Sequence, residues 1–199
     1  MILSGILSLA FGVVTFYGQD SGNFVMSIDK ESYTRGIILS TDDTFEFPQA
    51  QLLSDPVEEA RDLTYRWLKL DEVSQANGNY SDPDFDYVAY TFYIKNEGNE
   101  TVNVSYHIKI TDVFNRMDEA VRVLVIIDGQ EVLYQKEDQK DSEGAYPIYP
   151  PSIPKADYFL TDLIVARTTF NNFEPEDMKK ISVLIWLEGY DPDTTDEIL

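Results

Sequence analysis

YVAYTFYIK at 87–95, NEGNE at 96–100 and TVNVSYHIKIT at 101–111 together decide how this chain is read. The two flanks are rich in β-branched and aromatic residues and alternate with a period of two. In the second flank Val102, Val104, Tyr106, Ile108 and Ile110 share one face. Alternation of this length marks half-buried strands. NEGNE carries the Asn and Gly of a tight turn, so the stretch predicts a β-hairpin. The same alternation aims His107 away from Tyr106 and Ile108, toward solvent.

Downstream the pattern repeats. VRVLVII at 121–127 and residues 131–135 flank Asp128-Gly129, a dipeptide that favours a type I′ turn and predicts a second hairpin. Residues 115–119 read as a short helical turn. Residues 136–154 form a loop with four prolines. The last two strands are expected at 160–170 and 181–188, with FEPED at 173–177 crossing between them. ISVLIWLE at 181–188 has few polar positions on either side. It reads as a central strand covered on one face by an opposing sheet, with Trp186 buried and Leu184 on the same side.

Upstream, Phe24, Met26 and Ile28 alternate with Val25, Ser27 and Asp29 as a strand, GIILS at 36–40 gives another, and 45–48 is a further extended piece. Residues 55–70 are the best helical candidate. Asp55 stands as cap, Pro56 at the first helical position, and Glu58 and Glu59 in the first turn. Because 63–67 also alternates, the prediction is a short helix or turn leading into a strand. Residues 71–86 read as a polar loop. Eight or nine strands with one or two short helices predict an all-β fold. The expected form is an antiparallel two-sheet β-sandwich, jelly-roll or immunoglobulin-like, as a single domain over 22–199.

Residues 1–19 carry no charged side chain and are dominated by Ile, Leu, Val and Phe. The leading reading is an export signal or uncleaved anchor, which puts the domain outside the cell or on its surface, with membrane contact only through this segment. A first strand or helix of the domain, and an interfacial segment, are the alternatives. No Lys or Arg precedes the run and no A-x-A site follows it.

Composition narrows function. The 199 residues hold 36 acidic and 15 basic side chains, a net charge of −21. Such a surface repels phosphate backbones, so no nucleic-acid partner is expected. Without cysteine there are no disulfides, thiolate metal sites or cysteine nucleophiles. A single His excludes multi-His zinc sites, and neither HExxH nor GxSxG occurs. No residue is assigned a catalytic role and no cofactor is expected beyond possible Ca²⁺. Its candidate ligands are Asp82, Asp84 and Asp86, and Asp191, Asp193 and Asp196, two sets of hard oxygen donors without an EF-hand spacing. The alternative for both sets is that Asp and Pro make and solvate turns. Tyr146, Tyr149 and Tyr158, if exposed along one face, would favour sugar stacking.

Three motifs carry a resemblance: the aromatic strand with its N-E-G turn (90–100), F-x-P-x-D (173–177) and I-W-L-E-G-x-D-P-D (185–193). With the apolar start leading into Tyr17-Gly18-Gln19, they resemble exported β-sandwich surface proteins of Firmicutes of the TasA/camelysin type. That resemblance implies a signal-like N-terminus and a jelly-roll-like sandwich, and several such proteins assemble into extracellular fibres. Camelysin-like members carry a protease label, which nothing in these motifs supports. Related chains run on from W-L-E-G-x-D-P into a further strand, whereas this one stops at Leu199. The expectation is a truncated record, or a sheet lacking a strand that another molecule supplies. The leading functional expectation is therefore a non-catalytic surface or matrix protein, a fibre subunit or adhesion module, that self-associates by β-strand addition. Val13, Val14, Thr15, Phe16 and Tyr17 are the candidate donor strand. A carbohydrate- or Ca²⁺-binding accessory domain is the alternative, and a hydrolase stands third.

Overall fold

The computed structural model describes residues 6–12, 24–57, 61–111 and 116–194. In chain order the elements begin β1 (Ile6–Gly12), β2 (Val25–Ile28), α1 (Lys30–Thr34), β3 (Ile37–Ser40), β4 (Gln51–Leu53) and β5 (Asp62–Leu63). They continue with α2 (Leu70–Gln75), β6 (Gly78–Asn79), β7 (Val88–Asn96), β8 (Val102–Lys109) and β9 (Val121–Ile127). The last are β10 (Gln130–Gln135), β11 (Asp157–Tyr158), β12 (Ile164–Phe173) and β13 (Met178–Glu188). Two sheets result. A five-stranded sheet runs β12-β8-β1-β2-β4; an eight-stranded one runs β11-β10-β9-β13-β7-β3, with β5 beside β13 and β6 beside β7. The expected all-β sandwich with two short helices is the observed fold. Most pairings are antiparallel, but β1 runs parallel to β8, β11 to β10 and β5 to β13.

One apolar core lies between the sheets. Phe24, Met26, Val104, Tyr106 and Ile108 come from the smaller sheet, and Phe92, Ile94, Val123, Val183 and Ile185 from the larger. A second cluster lies on the other face of the larger sheet, where Leu124, Ile126, Leu184 and Trp186 meet Leu63, Leu68 and Val73. The larger sheet is thus covered on both faces, and β13 is buried without a break from Ile181 to Glu188. A strand covered on both sides needs no polar alternation. Trp186 and Leu184 are buried on one face and β13 is central, between β9 and β7, as expected. Their cover, however, comes from the 63–73 excursion and not from the opposing sheet.

The 87–111 stretch folds differently from the hairpin its turn suggests. β7 pairs with β13 and β3, and β8 pairs with β12 and β1, so the two strands lie in opposite sheets. NEGNE is an arch across the core. Asn96 builds it: its buried amide donates to the Glu100 and Phe173 carbonyls at 2.9 Å each, and its Oδ1 accepts from Gly98 N at 3.0 Å. A Cβ on Gly98 would stand 2.2 Å from the Arg35 carbonyl oxygen, so only glycine allows this close passage.

The Asp128-Gly129 hairpin is present, with both residues at positive φ (49° and 82°), the signature of the type I′ turn. The helix sought over 55–70 is absent from the described part of that span, which holds β5 and a 3-10 turn at Tyr65–Trp67. The helix is α2, inside the stretch read as a polar loop. The 45–48 piece pairs with no strand; the edge strand is β4.

Candidate functional site

Three places concentrate chemistry or assembly potential. The first is the seat of β1. The register sets Leu7, Leu9 and Phe11 opposite Val104, Tyr106 and Ile108 of β8, and Leu9 and Phe11 opposite Ile28 and Met26 of β2. These β8 and β2 partners belong to the core. β2 and β8 pair with each other nowhere in the described sheet, so β1 alone joins the two halves. Gly12 stands opposite Val25, yet residues 13–24, twelve positions, separate them. A hairpin needs two to about five. Of the readings of residues 1–19, a strand of the domain is the one this placement matches. Val13, Val14, Thr15, Phe16 and Tyr17 lie outside the described residues. Beside this seat, His107 stands in register with Ala10 on one side and Arg167 on the other. Its Nε2 is buried and has no hydrogen-bond partner among the described residues. Burial, then Lys109 and Arg167, hold its pKa below the ordinary histidine value.

The second place is a polar clasp at one end of the larger sheet, where the W-L-E-G-x-D-P-D motif lands. Arg122, in register with Trp186, donates from Nη2 to Asp191 Oδ2 at 2.6 Å, and the two side chains are 1% and 3% exposed. Its Nη1 reaches the Ala120 and Val121 carbonyls, and its guanidinium lies 5.4 Å from the Tyr149 ring centroid. The Tyr149 hydroxyl donates to Asp138 at 2.6 Å and faces Asp191 at 3.2 Å. Burial and the Asp138 hydrogen bond push its pKa up. Glu188, fully buried, accepts from Trp186 Nε1 at 3.1 Å and Tyr65 N at 3.3 Å. Asp193 donates its backbone N–H to Asp191 Oδ1, and burial raises its own carboxyl pKa. Asp191 is thus committed to an internal ion pair, and Asp196 lies outside the described residues. The sequence reading passed over Arg122, Tyr149 as a clasp residue, and Glu188. One signal was available: Arg122 is the lone charge in a β-branched run.

The third is a cleft of about 200 Å³ between 55–57 and 79–89. Asp55, Asp82 and Asp86 line it with Tyr80, Phe85 and Tyr87. Asp82 accepts from the Tyr87 hydroxyl at 3.0 Å and from Asp84 N at 2.9 Å. Asn79 Oδ1 accepts from Asp55 N at 2.7 Å. Burial, then Asp82 and Glu72, raise the Tyr80 pKa. Phe85 stacks on Trp67, ring centroids 5.2 Å apart, and Trp67 stays 48% exposed. Asp84 and Asp86 are exposed. Among the described residues no three acidic or histidine side chains group closely enough to hold a metal ion. Tyr146 and Tyr158 are exposed, whereas Tyr149 is held in the clasp.

Comparison with protein families, with characterised proteins and with solved structures finds no match for this chain.

Proposed function

We propose that this chain is a non-catalytic extracellular surface or matrix module, of the fibre-subunit or adhesion kind that the TasA/camelysin resemblance implies, and that it self-associates by β-strand addition. The observation that supports the reading is the seat of β1: an N-terminal strand in the centre of a sheet, on a connection far longer than its geometry requires. Main-chain hydrogen bonds and side-chain packing make such a seat equally good for the chain's own strand or a neighbour's, and exchange of an identical element is a low-cost route to assembly. The charge of −21 opposes contact between copies, so screening by salt strengthens it. The surface charge turns nucleic acid away.

Light scattering on the full chain and on a form lacking residues 1–19, across salt and concentration, tests this. The full chain is expected to form oligomers that grow with salt, and the shortened form to stay monomeric. Two monomers at every ionic strength and at high concentration would refute the reading.

A further inference from the structure

The cleft beside β6 lies on the sheet that does not contain β1, and the assembly reading makes no use of it. It holds three carboxylates, Asp55, Asp82 and Asp86, and among the described residues none of them has a cationic partner. Among the described residues they form no group that could hold a metal ion. Tyr80 and Phe85 supply aromatic walls, and the exposed Trp67 backs Phe85. A ring face beside carboxylates is the environment an organic ammonium prefers, with cation–π attraction added to ion pairing. Polar groups decide what carries the ammonium. Asn79, whose carbonyl oxygen accepts from Asp55 N, and Ser81 add an amide and a hydroxyl to the lining. A hydroxylated ring can hydrogen-bond to these groups, and a purely aliphatic cation cannot.

We propose that this cleft binds a protonated amine carried on a hydroxylated ring, the chemistry of an amino sugar. The ring lies against Phe85 and Tyr80, the ammonium faces Asp86 and Asp55, and ring hydroxyls meet Asn79. The volume of about 200 Å³ takes one sugar unit.

The test is calorimetric titration of the full chain with the β-1,4-linked glucosamine trimer at pH 6, beside the fully N-acetylated trimer and cellotriose. The glucosamine trimer is expected to bind at least about ten-fold more tightly than either neutral trimer. Asp86→Asn should weaken it at least about three-fold, and Phe85→Leu should weaken it as well. Thermal melting of each variant confirms the fold. Glu143→Gln removes the same charge from an exposed turn outside the cleft and should change nothing. Equal binding of acetylated and free trimers would overturn the proposal, as would no binding. So would a Glu143→Gln effect matching that of Asp86→Asn, which would mark attraction to overall charge alone.

Discussion

The two sheets face the same core but are built on different terms. The smaller sheet buries one face, and β8 shows it: Val102, Val104, Tyr106 and Ile108 are buried while Asn103, Ser105 and His107 are only half covered. The larger sheet buries both faces, and β7, β9 and β13 are sealed almost end to end. The smaller sheet is joined through β1 and the larger through β13, each between two neighbours that do not pair with one another among the described residues. β1 lies in a sheet with one covered face, whereas β13 is locked between two clusters.

Substitutions that probe each side should differ accordingly. Trp186→Ala removes the largest side chain of the second cluster and strips Glu188 of its indole donor, and is expected to cost about 3–5 kcal/mol in urea unfolding. A loss below about 1 kcal/mol would make the outer cover dispensable and the contrast between sheets void. Asp191→Ala leaves Arg122 charged and buried and is expected to cost about 3 kcal/mol, whereas replacing both partners by apolar residues should recover much of the loss. On the half-covered face of β8, Ser105→Ala loses only an exposed hydroxyl contact with Thr169, and a change within about 0.5 kcal/mol is expected.

The smallest effect concerns pH. Folding lowers the pKa of His107, so the fold favours the neutral imidazole. That contribution is present above the unfolded value, about 6.5, and is lost as pH falls through the folded one. An NMR titration of His107 should give a midpoint below 6.5, and His107→Gln should shallow the fall in stability between about pH 7 and 5. A midpoint at or above that value would mean the ring is solvated and plays no part in the seam beside β1.

The same contrast explains what could be read in advance. The face of β8 was legible because one-sided burial writes alternation into the sequence, and the Asp128-Gly129 turn was legible because its positive φ values demand those residues. The arch at 96–100 was not, since a turn signal is the same whether the next strand returns beside the first or crosses the core. What distinguishes the two is long-range: β7 pairs with β13 and β3, β8 pairs with β12 and β1, and Asn96 bonds to Phe173. The helix was misplaced for a local reason. Asp55-Pro56 has the look of a helix start, while α2 begins after Lys69 with no side-chain cap at all. Tertiary cover over the larger sheet, and not capping, keeps α2 in place through Val73. At the sites, Asp191 and Asp193 were visible as acids, but their role depends on Arg122, sixty-nine positions away from Asp191, which spacing could not reveal. Asp82, Asp84 and Asp86 were visible as alternating acids, but that Asp82 and Asp86 line a cleft with Tyr80 and Phe85 came only with the fold.

Hydrogen exchange tests the division between the sheets most directly. Amides would be followed in the full chain and in the form lacking residues 1–19. With β1 gone, β8 and β2 become edges toward each other, so their facing amides should exchange far faster. Those of β7, β9 and β13 should keep their protection, and adding back a peptide spanning residues 1–19 should restore β8 and β2. Unchanged protection in β8 and β2 after the deletion would contradict the account, because β1 would then not be the strand that joins the sheet.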